Sequence, residues 1–405
     1  GIQPLLSLLQ SRMCVQDVEQ AQEVREHMYE FIAMAYTLVS RLYETIPVFR
    51  KTWILYLGHL SRYRVCLETD DANAQEHWCV IARTWYAQLF EFGTPTGEIY
   101  DHLTTLQCPE PTVQLLNLAQ SVMAFKSPLT SKYDLTWTFH RAILASISPG
   151  QSYSETEFLK LHKLLLEASC KTSEYSSRDA AQTEDSRAKG FITSLIQIEG
   201  ICRSFEQALE VDIHYGGRRN CKVFAYMAVI NIAACFDYGA ESAVLRKSFP
   251  WYTTRERQCG LYPLKVLGPL SPASAGLLQT LLQSTDPDVA NTVSDSVYLN
   301  LVFRRCFILT MRTLSILLGQ GVPFYVDAHI HILATFLNAL ARTTHSCLLD
   351  DAPWAAFVDY LNNKIQLEIQ SLTSTELHGF IAQPLFPSDQ GPSPLPEDRM
   401  IRGLS

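Results

Sequence analysis

The chain of 405 residues contains no C-x-x-C, and its 11 cysteines are scattered, the closest two being Cys66 and Cys79. Neither a zinc knuckle nor a thioredoxin-type site can be drawn from that spacing. An odd number of isolated cysteines reads as reduced, mostly buried thiols in a nuclear or cytosolic protein. G-x-x-x-x-G-K-[ST], G-x-G-x-x-G and G-x-S-x-G are also absent, which removes the P-loop, dinucleotide-binding and nucleophile-elbow readings. No signal peptide is visible. The longest apolar run, Val223 to Phe236, is 14 residues and includes Asn231. That length suits a buried core helix better than a bilayer span, so no membrane partner is expected. The chain opens Gly1-Ile2 instead of Met, the pattern of an excised fragment or a tag scar.

Positive charge is in deficit as well. Lys and Arg total 33 against 41 Asp and Glu, a formal net charge of −8. Broad, charge-driven nucleic-acid binding is therefore disfavoured. Short basic clusters at Arg218-Arg219, Arg246-Lys247, Arg255/Arg257 and Arg304-Arg305 read as solvated or ion-paired surface. Strand-type alternation is nearly missing.

What is present is a composition of 47% apolar and 18% charged residues, which fits a globular chain large enough for two or three domains. Val24–Tyr43 is apolar at Met28, Phe31, Ile32, Ala35, Leu38, Val39 and Leu42, one stripe of a helix that Pro47 ends or restarts. Glu76–Phe92, Gly93–Leu106 and Glu110–Phe125 follow as amphipathic pieces separated by Gly and Pro. Short helical hairpins of this kind suggest stacked repeats of the tetratricopeptide type. Lys171–Lys189 is polar and reads as a linker. Beyond it, helices are expected at Phe191–Asp212, Cys221–Tyr238, Val297–Leu318, His329–Arg342, Pro353–Asn363 and Ser374–Ile381. A loop-rich stretch holds Gly268, Pro269, Pro272, Gly276 and Pro287, and the Pro-rich tail is expected to lie extended.

Few groups invite chemistry. His329 and His331 beside Asp327 stand two residues apart, which on a helix points them about 200° away from each other. They read as core or hydrogen-bonded histidines. Asp70-Asp71 and Asp350-Asp351 read as solvated caps. No catalytic residue, cofactor or metal follows from the sequence, and no enzyme is expected. One segment is different. In Trp53–Arg64, WILYLGHLSRYR, Trp53, Leu57 and Leu60 share a helical stripe with Tyr56 and Tyr63 on its shoulder. Arg64 falls on that stripe and must be paired or snorkel outward. Arg62 falls on the opposite face, above Gly58 at i−4, where the missing side chain leaves room. One arginine reads as structural and the other as presented. His59 reads as a satisfied structural histidine, with a pH-sensitive role as the alternative.

These residues resemble the Est/SMG adaptor family, the telomerase-associated Est proteins and the SMG proteins of nonsense-mediated mRNA decay. The family pattern L-G-D-[IL]-x-R-Y-R is met at Leu57, Gly58, Leu60, Arg62, Tyr63 and Arg64. A following hairpin block is met at Trp78, Ala82, Tyr86, Gly97, Tyr100 and Leu103. There Leu89 replaces the second alanine and Pro95 comes one position late. Trp354, Phe357, Tyr360, Leu361 and Asn362 are similar to a W-x-x-[FL]-x-x-[FY]-[LF]-N element. Leu395-Pro396-Glu397-Asp398 with Arg402-Gly403-Leu404 are similar to a closing LPED-x3-RG-[FL] signature.

The resemblance implies an all-α protein with a 14-3-3-like, tetratricopeptide-type bundle over residues 1–170 and a linker at 171–189. A helical hairpin array at 190–405, with the LPED/RGL tail, would complete it. It also implies that Arg62 and Tyr63 occupy the positions from which the G-D-x-x-R-Y segment of 14-3-3 proteins serves a phosphoserine pocket. Gly58 and Arg64 would support the motif, Arg64 tied to a core acid. Two departures weaken the pocket: His59 replaces the family aspartate, and Gln120 replaces an arginine of the next hairpin. Lys51 shares the Arg62 face but lies about 16 Å away along a helix. A working phosphopeptide pocket and a groove that has lost phosphate binding therefore both stay open. The implied function is a non-enzymatic adaptor in the nucleus or cytoplasm, with protein partners that include phosphorylated ones and a paralogue as a pairing option. Direct single-stranded nucleic-acid binding is the alternative.

Overall fold

The computed structural model describes residues 18–68, 70–93, 96–106, 110–124, 152–174, 184–216, 221–239, 243–245, 295–319, 326–343 and 345–371. Among these residues every regular element is a helix, so the chain is all-α. The expected helix Ser374–Ile381, the loop-rich stretch around Pro272 and Pro287, the Pro-rich tail and the LPED/RGL residues lie outside the described residues. None of the described helices is long and apolar enough to cross a membrane.

The chain divides into two compact units, Gly1–Cys108 and Pro109–Ser405. This differs from the expected domain edge at 170, and the reason is where the apolar residues go. Helix α5 (Pro111–Met123) and helix α6 (Tyr153–Glu174) bury Leu115, Leu118, Phe158 and Leu165 in one core with residues from 195 to 360. The polar stretch read as a linker is helical at both its edges. Helix α6 runs to Glu174, and helix α7 (Glu184–Gly216) begins at Glu184.

The first unit is built from α1 (Val18–Thr45), α2 (Arg50–Leu67), α3 (Ala72–Gln88) and α4 (Gly97–Leu106). Pro47 opens a single 3-10 turn, Pro47–Phe49, that leads into α2. The Asp71 carboxylate caps α3 by accepting from the backbone N–H groups of Asn73 and Ala74, at 2.9 and 3.0 Å, which satisfies donors that a helix start leaves orphaned. Helix α2 lies between two cores. Leu57, Leu60 and Leu67 pack with Met28, Ile32, Ala35 and Val39 of α1. Ile54 on the other side packs with Cys79, Ala82 and Tyr86 of α3 and with Ile99, Leu103 and Leu106 of α4.

The second unit is organised around α8 (Cys221–Cys235), which packs on α5, α6, α9 (Asp295–Gly319) and α10 (Asp327–Leu340). Residues 227–236 are buried without a break, the pattern of a helix surrounded on all sides. Its one polar member, Asn231, receives a hydrogen bond from buried His162 Nε2 at 3.1 Å, while the Tyr238 hydroxyl donates to His162 Nδ1 at 2.7 Å. Three residues with positive φ follow α8: Asp237 (49°), Tyr238 (48°) and Gly239 (79°). At Gly239 a Cβ would sit 2.4 Å from the Val122 carbonyl oxygen, so only glycine fits that approach. Helix α11 (Trp354–Ser371) buries Phe357 and Tyr360 against this core.

Candidate functional site

Arg62 and Arg64 lie on the same helix, α2, and have opposite surroundings. The Arg64 Nε donates to Glu68 Oε1 at 2.8 Å, and the guanidinium lies 3.9 Å from the Tyr29 ring centroid and 5.7 Å from that of Trp78. Tyr29 is itself anchored by its hydroxyl, which donates to the Leu67 carbonyl at 2.9 Å. Arg64 is thus half-buried, paired and stacked, and its charge is neutralised within the fold.

Among the described residues Arg62 makes no ion pair. Its guanidinium stacks on the neighbouring Tyr63 ring at 4.9 Å, and its Nε is buried without a hydrogen-bond partner. The face it shares with Gly58 does not point into open space. Tyr86 of α3 occupies the room above Gly58, so that a Cβ added there would meet the ring carbon Cε1 at 2.6 Å. The expectation of free room above Gly58 is corrected in this respect. The glycine is used for a close helix–helix approach, and it brings the Tyr86 phenol to the Arg62 face.

Two histidines complete the surroundings. His59 Nδ1 lies 2.9 Å from the Tyr86 hydroxyl, and His102 of α4 stacks edge-on against His59 with ring centroids 5.2 Å apart. Burial first, and then the Arg62 charge, push His59 down to about 4. The same two causes, with His59 after them, push His102 down to about 3. Both imidazoles are neutral at pH 7. Burial also raises the Tyr86 phenol well above its ordinary range, with Arg62 opposing it. Glu98, one turn before His102 on α4, approaches it at 3.6 Å and is mostly solvent-exposed. The patch is therefore one fixed cation among neutral donors and acceptors, with a single carboxylate at its edge.

Arg62, Tyr63, Gly58, His59 and Arg64 thus fall in one short segment, as the sequence places them, and Lys51 is exposed near the start of the same helix. Gln120 lies on α5, in the second unit. Sequence reasoning missed Glu98 and His102, and read Tyr86 only for its size. The signal that could have found them is the i, i+4 spacing of Glu98 and His102 inside the hairpin block, since that spacing shares a helix face. His329 is fully buried, with Nδ1 donating to the Phe224 carbonyl at 2.7 Å, while Asp327 binds Tyr360 and Lys364 instead. Of the basic clusters, Arg305 is largely buried and pairs with Glu199. The clusters at Arg218, Arg246 and Arg255 lie outside the described residues.

Comparison with protein families, with curated proteins and with solved structures finds no match to this chain.

Proposed function

We propose that this chain is a non-enzymatic adaptor similar to the Est/SMG proteins, holding protein partners in RNA surveillance or telomere maintenance. Its first unit would receive an acidic or phosphorylated peptide at Arg62. The observation that carries the reading is the contrast on α2, where Arg64 is neutralised by Glu68 and Arg62 has no carboxylate in an ion pair among the described residues. A guanidinium without an acid partner is the residue type best suited to a phosphate, because its planar fork matches two oxygens at once. Tyr63, stacked beside it, supplies a hydroxyl that can donate a further bond. The neutral imidazoles add no charge, so the site rests on one arginine and should bind weakly and reversibly.

The test is a titration of labelled phosphoserine peptides and their unphosphorylated twins against the wild type and Arg62→Glu. Phosphate-dependent binding that the substitution abolishes is the expected result. Equal or absent binding in all four combinations refutes the peptide site and leaves a helical scaffold. Salt-dependent capture of single-stranded RNA instead would shift the reading to a nucleic-acid factor.

A further inference from the structure

Beside Arg62, two helices bring together three metal-ligating side chains that no reading of the phosphate site uses. His59 comes from α2, and Glu98 with His102 from one face of α4. One nitrogen from each imidazole and one Glu98 carboxylate oxygen all lie within 4.8 Å of one another. Ligand atoms around a tetrahedral zinc ion stand about 3.3 Å apart, because each bond is about 2.0 Å long. The trio is thus within a side-chain adjustment of coordination and needs no movement of either helix. The donor chemistry agrees, since two imidazoles and a carboxylate suit zinc, cobalt or nickel and disfavour magnesium or calcium.

We infer that His59, His102 and Glu98 form a binding site for a divalent transition-metal ion of the zinc class. Three protein ligands leave at least one coordination position open. The supporting parts are in place. The Tyr86 hydroxyl at His59 Nδ1 orients that ring, as partners of metal-binding histidines do. Arg62 opposes the ion through its charge, which sets a moderate affinity and gives the site a distinguishing property. Removing that charge strengthens metal binding, whereas it abolishes binding of an anion. The site does not rest on the phosphopeptide reading.

Cobalt(II) titrated into the reduced, purified chain tests the site. Its d–d absorption reports coordination number, and the thiolate charge-transfer band reports any capture by cysteine. The expected result is a single equivalent bound in four- or five-coordinate form, without a thiolate band and displaceable by zinc. His59→Gln and His102→Gln should each weaken binding by at least about tenfold, and Arg62→Gln should tighten it. Undiminished affinity in both histidine variants, or a spectrum dominated by thiolate, overturns the assignment. If a histidine variant loses its helical circular dichroism, Glu98→Gln decides. That side chain is 60% exposed, so the fold survives its change, and unaltered cobalt affinity in this variant equally overturns the site. Peptide binding measured in the presence of a chelator fails or succeeds independently of these outcomes.

Discussion

At the scale of single residues, the two arginines of the Arg62–Arg64 segment separate a guanidinium paired within the fold from one with no ion pair among the described residues. Arg64 holds Glu68 and stacks on Tyr29 and Trp78. Replacing it with methionine keeps the stem and leaves a largely covered carboxylate without its partner. That change should cost about 2 kcal/mol. Arg62→Met removes a cation that no acid among the described residues pairs with, and should change stability by less than about 1 kcal/mol. Urea unfolding of the two variants, compared at equal m-value, checks the contrast. If Arg62→Met proved as costly as Arg64→Met, Arg62 would be a structural arginine and the peptide site would lose its basis. The sequence made this distinction legible, because helical phase alone puts Arg64 on the apolar stripe. It could not reveal what stands around Arg62. Tyr86 and His102 arrive there from other helices, and their positions are set by packing between elements.

The same limit explains what was misread about Gly58 at the scale of elements. Within one helix a glycine is a gap, and from sequence the gap looks available to the side chain one turn later. Between helices the gap is the point where α2 and α3 approach, and the Tyr86 ring fills it. Gly58→Ala therefore sets two effects against each other. Alanine is favoured over glycine in a helix interior by about 1 kcal/mol. Overpacking a buried contact costs about 1–3 kcal/mol. Tyr86 is fully buried and its hydroxyl is bound to His59, so the ring has little freedom to yield, and a net loss of about 1–2 kcal/mol is expected. Adding Tyr86→Leu should recover part of it, a coupling that a double-mutant cycle measures. Additive losses would mean that the ring and the glycine do not meet. Most helix positions were legible, because apolar periodicity is a local property, but α6 (Tyr153–Glu174) was not expected from the sequence, nor was the start of α7 before Phe191. The caps and turns shifted edges by a few residues, as at α1, which runs from Val18 to Thr45 where the apolar stripe spans 24–43.

At the scale of the whole molecule, the compositional edge at 170 and the edge between the two compact units do not coincide. A polar stretch reports solvation of a surface, and 171–189 proved helical at its edges. The division at Cys108 and Pro109 is decided by which core each helix feeds. That larger core also carries part of the acid response of the described residues, beside His59 and His102 of the first unit. His162 is fully buried with both ring nitrogens engaged, and burial pushes it down to about 3. His329, equally buried, is held at about 4, with Nε2 lacking any partner. In the unfolded chain both return to an ordinary value of about 6.5. Their folded values are lower, so on acidification the unfolded state takes up protons first. Stability is complete above about pH 6.5 and falls as the pH drops toward 4, by up to about 1.4 kcal/mol per pH unit for each histidine. Urea midpoints between about pH 7.5 and about pH 5 should therefore decline, with a shallower slope in His329→Gln, which has no proton to gain. A wild-type midpoint that stays level across that window would mean that both histidines accept a proton inside the core, against the geometry that surrounds them.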